Sequence, residues 1–150
     1  HPELRGKDQE TTRKACEKFA LVPTSVMNFL EGTRFTPAKH ARQQSPYQHL
    51  LKPKVGALGI ALATMGEQFE ALLDVTLVYQ PTGNGRSKLW SWLCGEQNAA
   101  FVQVDVKPLP AELLCGDYQD DDAFRERFQD WVNGLWADKD ATIERVLGRL

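Results

Sequence analysis

The chain has 150 residues, 42% of them hydrophobic and 25% charged, the composition of one globular domain rather than of a disordered segment. Lys and Arg number 18 against 20 Asp and Glu, a formal net charge of -2, which excludes the basic excess of a dedicated nucleic-acid binder. No apolar run in it reaches the roughly 18 residues that a membrane-spanning helix needs.

The opening run, His1 to Asp8, has neither an initiating Met nor the apolar stretch of a signal peptide, so the 150 residues are expected to be part of a longer protein. Cys16, Cys94 and Cys115 are far apart and odd in number. They read as isolated, mostly buried thiols of a reducing compartment, not as a disulfide framework or zinc site.

In chain order, Asp8 to Ala20 reads as a helix with Ala15, Cys16 and Phe19 on one face, ended by Pro23. Thr24 to Leu30 is nearly continuous in apolar residues, the pattern of a strand covered on both faces in a parallel sheet. Glu31 to Gln48 is a loop by content, with Gly32, Pro37 and Pro46. Val55 to Met65 predicts a buried helix stopped at Gly66, and Ala71 to Tyr79 a second strand.

Lys88 to Gly95 predicts a short helix whose Trp90 and Trp92 pack in the core, with contact to membrane or acyl chain as the alternative. Ala99 to Lys107 alternates as a half-exposed strand. Phe124, Phe128, Trp131, Val132 and Leu135 form an amphipathic stripe that Ile143, Val146, Leu147 and Leu150 continue, so helices fill the C-terminus. Asp120, Asp121 and Asp122 stand where a helix start favours negative charge. The expected class is α/β, a mixed and largely parallel sheet flanked by helices. Residues 1–119 would form the α/β part and 120–150 the C-terminal helices.

The chemistry concentrates after the first strand, in Glu31-Gly32-Thr33-Arg34. Ligands of open α/β sheets bind beyond the carboxyl ends of strands. Gly32 permits a positive φ and close approach, Thr33 brings a hydroxyl, and Arg34 a planar fork of donors suited to phosphate. Glu31 can hold the Arg34 guanidinium from behind. From Gly32 to Gly66 there is no Asp or Glu, while Arg34, Lys39, Arg42, Lys52 and Lys54 carry positive charge. Such a field attracts anions; a solvated basic loop is the plain alternative.

Glu31-Gly32-Thr33-Arg34 after an apolar strand resembles the phosphate-binding motif of the glycerolipid acyltransferases. Phe35, Thr36, Lys39 and His40, then His49-Leu50-Leu51, Pro53-Lys54 and Gly56, resemble the eukaryotic-type branch of the 1-acylglycerol-3-phosphate acyltransferases and its bacterial relatives. So do Asp74-Val75-Thr76-Leu77 leading to Tyr79, and Trp131 with Leu135-Trp136 and Lys139-Asp140. The Pro common in the family's later strand block is absent.

The resemblance implies transfer of a fatty acyl group to a lysophospholipid, with acyl-CoA or an acyl carrier protein thioester as co-substrate and no resident cofactor or metal. Arg34 would contact the substrate phosphate, Gly32 and Thr33 would shape its cradle, and Glu31 would position Arg34. Lys54 is a further candidate, with a lysine at a helix start as its alternative.

The family also carries a His followed, after four residues, by an Asp, the general base and its orienting group. Five positions after His1, His40 and His49 stand Gly6, Ser45 and Lys54. The motif is therefore expected upstream of His1, with the family's membrane helices, and no catalytic residue is expected within the chain. His40 and His49 read as hydrogen-bonded structural residues.

The protein would work at the cytoplasmic face of a membrane, a bacterial inner membrane by the resemblance, while this portion is itself soluble. An exposed sheet edge could pair with a second copy. The rival reading is a non-enzymatic module for an anionic headgroup or phosphoprotein. Nucleotide binding has little support, because there is no G-x-x-x-x-G-K-[ST] string and Gly83-Asn84-Gly85 lacks a third glycine.

Overall fold

A computed structural model describes residues 25–79, 90, 93–95, 100–114, 116, 118 and 121–149. The expected helix over Asp8 to Ala20 lies outside the described residues, as do Cys16, Trp92 and Cys115.

The elements are helix α1 (Pro37–Gln43), helix α2 (Gly56–Met65), strand β1 (Leu72–Tyr79), strand β2 (Ala100–Lys107) and helix α3 (Asp122–Leu147). Single 3-10 turns follow α2 at Gly66–Gln68 and precede α3 at Ala111–Leu113. The class is mixed α and β.

The largely parallel sheet is not what forms among the described residues. β1 and β2 pair antiparallel in a two-stranded sheet, with Leu73 opposite Val106, Val75 opposite Val104 and Leu77 opposite Val102. The expected strand at Thr24 to Leu30 is also corrected. Ser25 to Phe29 has no ladder partner, and Met27 and Phe29 are 83% and 79% exposed. A strand exists only through a neighbour that takes its backbone N–H and C=O groups, and no described segment pairs with Ser25 to Phe29 in a ladder.

α1 falls inside the stretch expected to be loop. Thr36 has extended backbone and its hydroxyl accepts from the Lys39 amide, while Pro37 supplies the first turn with its preset φ. The helix stops at Gln44, whose φ is 49°. α2 matches the expected buried helix closely. It carries no charged residue, and Gly59 lets the Tyr118 ring lie against its backbone, where a Cβ would come 2.5 Å from Cδ2.

α3 is one continuous helix of 26 residues rather than several. Asp121 caps it, its carboxylate accepting from the Phe124 amide at 3.0 Å, and Asp122 lies in the first turn beside Arg125. Phe124, Phe128, Val132, Trp136 and Val146 form its buried stripe. Phe124, Phe128, Val132 and Trp136 meet Leu50, Val55, Leu62 and Leu113 in the core, and Phe128, Leu51 and Val132 are fully buried.

The sheet turns its more polar face inward. Asp74, Thr76 and Val78 of β1 are at least half buried, and Gln103, Asp105 and Lys107 of β2 are half buried. The outward face carries Leu73, Val75, Leu77, Val102, Val104 and Val106, the last 69% exposed.

Candidate functional site

The Glu31–Arg34 segment is built by a tight turn. The Gly32 amide donates to the Phe29 carbonyl at 2.9 Å, and the Lys54 amide donates to the Leu30 carbonyl at 2.7 Å. The second bond staples Lys54 to the turn. Gly32 has φ 63°, the left-handed region that costs little only for glycine. The Lys54 side chain lies across it, its Cδ 3.3 Å and its Nζ 3.5 Å from where a Cβ would stand. Sequence reasoning could place Lys54 only near the loop; the turn brings its ammonium to Gly32.

Glu31 does not hold Arg34. Burial of its half-buried carboxyl raises its pKa above the ordinary 4.5, and the nearby Leu51 backbone works against this. Leu51 is itself fully buried, so the Glu31 carboxyl is drawn to the core side of the turn. No ion pair joins Glu31 to Arg34 among the described residues, and Arg34 is exposed. Glu31 is thus half-buried on the core side of the turn, while Arg34 stays open to solvent.

Lys39 is the site residue that sequence reasoning passed over. Its Nζ donates to the Thr33 hydroxyl at 2.6 Å and to the Arg34 carbonyl at 3.2 Å. The available signal was the Thr36-Pro37 helix start, which predicts that the first turn of α1 swings Lys39 back towards the loop.

Both histidines within the described residues are engaged. His40 Nε2 bonds to the Tyr47 carbonyl at 2.6 Å, and its ring leans on Phe35 with centroids 5.6 Å apart. His49 Nε2 meets Glu144 at 2.6 Å. The expectation that Trp90 packs in the core is corrected: Trp90 is exposed. Cys94 is a free, exposed thiol rather than a buried one.

Behind the loop, α3 holds the segment from Tyr47 to Leu51 along one side. The Tyr47 hydroxyl reaches Asn133 at 3.4 Å. Burial raises the Tyr47 pKa first, and the Asp140 charge adds to this. Both Asp140 carboxylate oxygens accept backbone amides, from Gln48 and His49, each at 2.7 Å. The Trp136 indole donates to the Leu51 carbonyl at 3.0 Å.

One turn round the helix, Lys139 is buried against β1. Its Nζ stands 2.5 Å from the Asp74 carboxylate, 2.8 Å from the Val75 carbonyl and 3.1 Å from the Thr76 hydroxyl. The structure therefore joins strings far apart in sequence: His49-Leu50-Leu51 with Trp136 and Asp140, and Asp74-Val75-Thr76 with Lys139.

The loop brings Lys39 and Lys54 to Thr33 and Gly32, next in sequence to the exposed Arg34. Such a set favours a ligand rich in anionic oxygen. Among the described residues no three His, Cys, Asp or Glu side chains are grouped to hold a metal ion, and no helix is long and apolar enough to cross a membrane. No family model, curated protein or solved structure matches the chain.

Proposed function

We propose that the chain is part of a glycerolipid acyltransferase of the 1-acylglycerol-3-phosphate type, and that the Glu31–Arg34 turn receives the phosphate of the lysophospholipid acceptor. The observation that carries this reading is the convergence of Lys39 and Lys54 on Gly32-Thr33, beside the exposed guanidinium of Arg34. Gly32 offers close backbone approach and Arg34 a bidentate fork for phosphate oxygens. The lysines contribute point charges and hold the turn.

The acyl group would come from acyl-CoA or an acyl carrier protein thioester. Its carbonyl carbon is attacked by the acceptor hydroxyl, the thiol leaves, and a general base takes the hydroxyl proton. This reading gives that base to the family's His/Asp pair, because the residues five positions after His1, His40 and His49 are Gly6, Ser45 and Lys54, none of them Asp. The work is then done at a membrane surface on its cytoplasmic side.

The test is acyl transfer to 1-acylglycerol 3-phosphate by the intact gene product. Arg34→Ala should raise the acceptor KM about 10- to 100-fold, the loss of a charge-assisted pair, with the thioester KM unmoved. An unchanged acceptor KM overturns Arg34 as the phosphate ligand. Absence of any transfer, with phosphate binding retained, favours the non-enzymatic anion-binding module instead.

A further inference from the structure

We infer that Lys39 is a positioning residue of this anion site, setting the Thr33 hydroxyl and the Arg34 backbone in place by spanning the two. The inference rests on the phosphate reading above and goes one residue deeper into it.

The geometry is specific. An ammonium has three N–H donors; Lys39 directs two of them, one at the Thr33 hydroxyl at 2.6 Å and one at the Arg34 carbonyl at 3.2 Å. The 2.6 Å contact is at the short end for a charged donor. The Lys39 backbone is fixed as well, because its amide is taken by the Thr36 hydroxyl at 3.3 Å. Loop and helix are thus closed into a ring: Thr33 and Arg34 to the Lys39 side chain, and Lys39 to the Thr36 cap.

This arrangement has a chemical consequence. The Thr33 hydroxyl accepts from Lys39, so its own proton is left to point elsewhere, and a phosphate oxygen is the natural acceptor. Arg34 is exposed, and its side chain has no bond among the described residues that would fix its root. The Lys39 contact to its carbonyl supplies that restraint. Holding donors in place before a ligand arrives reduces the ordering cost of binding. A lysine free in solvent would offer charge alone, which salt screens.

The experiment is titration of the 150-residue chain with two probes, inorganic phosphate and a short-chain 1-acylglycerol 3-phosphate below its micelle concentration. Binding is followed by amide chemical shifts at Gly32, Thr33 and Arg34. Circular dichroism confirms that each variant is folded.

Lys39→Met should weaken both probes about 5- to 20-fold, and Lys39→Arg should restore most of the loss, since it keeps a cation able to span the same two acceptors. Thr33→Val removes one anchor while keeping the Lys39 charge. If Lys39 acts through Thr33, the double variant Thr33→Val/Lys39→Met binds about as weakly as the worse single one.

Multiplying losses in the double variant overturn the positioning role in favour of independent contacts. Wild-type affinity in Lys39→Met overturns the inference while leaving the phosphate reading intact, provided Arg34→Ala loses binding. If the unaltered chain binds neither probe, both fall together. Binding of inorganic phosphate with no preference for the lysolipid keeps the Lys39 role and assigns the site to free phosphate.

Discussion

The Lys139 ammonium and the Asp74 carboxylate stand 2.5 Å apart, with 9% and 13% of their side chains exposed. The pair fastens α3 to β1, and the Val75 carbonyl and Thr76 hydroxyl satisfy the remaining donors. Removing one partner strands the other charge away from water, the most costly way to break a buried pair. Lys139→Met should therefore cost about 3 kcal/mol of unfolding free energy, measured by urea denaturation. Pairing it with Asp74→Leu should recover much of that loss. A Lys139→Met variant as stable as the parent would refute the fastening role.

Asp140 makes a different clasp, one carboxylate for two successive amides. Asp140→Ala leaves the Gln48 and His49 amides without that acceptor, and hydrogen bonds to a charged group contribute about 1.5–3 kcal/mol each. Amide exchange at Gln48 and His49 should accelerate by at least tenfold, ahead of the core of α3. Equal protection in both proteins would show that water or a neighbour replaces the carboxylate.

Gly32 tests the turn. Gly32→Ala places a Cβ at positive φ and 3.3 Å from Lys54, so destabilisation of about 1–2 kcal/mol is expected from the backbone alone. Gly32→Asn should cost less, because asparagine tolerates the left-handed region. The ranking Gly, Asn, Ala in thermal midpoint checks this.

Glu31 sets a pH signature. Its folded pKa is raised, so the folded chain holds the proton more tightly than the unfolded one. Its contribution to stability is greatest below the ordinary value of 4.5 and is lost as pH rises through the folded value. Glu31→Gln removes that titration and keeps an acceptor for Leu51. The wild type should lose stability relative to the Gln variant as pH climbs through this window, the difference then staying constant to neutrality. A difference that does not change with pH would refute the buried titration.

The two-stranded sheet leaves strand edges unpaired among the described residues, and its outward face is apolar from Leu73 to Leu77 and from Val102 to Val106. Such surface favours association. The 150-residue chain should sediment with a mass that rises with concentration, and Val104→Lys should weaken that rise if the face takes part. A clean monomer at high concentration removes the proposed pairing of copies.

Much of the architecture was legible because period and punctuation were strong. The stripe from Phe124 through Val132 specified α3, although Gly134 did not interrupt it; a single glycine costs a helix only about 1 kcal/mol, less than the packing of Trp136 and Val132 returns. The alternation at β2 gave a strand but not its sense, since periodicity carries no information about the neighbour's direction. Thr24 to Leu30 failed for the same reason: its apolarity shows a need for cover, and cover depends on segments distant in the chain. The Glu31–Arg34 turn was visible as composition. The setting of Glu31 was not, because the burial that raises its pKa comes from tertiary packing beside Leu51. Lys39 was visible as one charge in a basic field and one residue of the family resemblance, without a role of its own.

The contacts made by α3 between Asn133 and Glu144 also bear on how the molecule can move. Asn133, Trp136, Lys139, Asp140 and Glu144 each engage a different group on two separate segments. A helix seated like a key in a lock has no intermediate setting: a slip of one turn, about 5.4 Å, would misalign all five at once. The loop bearing Gly32 is tied to the neighbouring segment by the Lys54 amide, which donates to the Leu30 carbonyl. If the proposed anion site is occupied, Arg34, Lys39 and Lys54 are the side chains expected to adjust, while the scaffold beneath them stays in register.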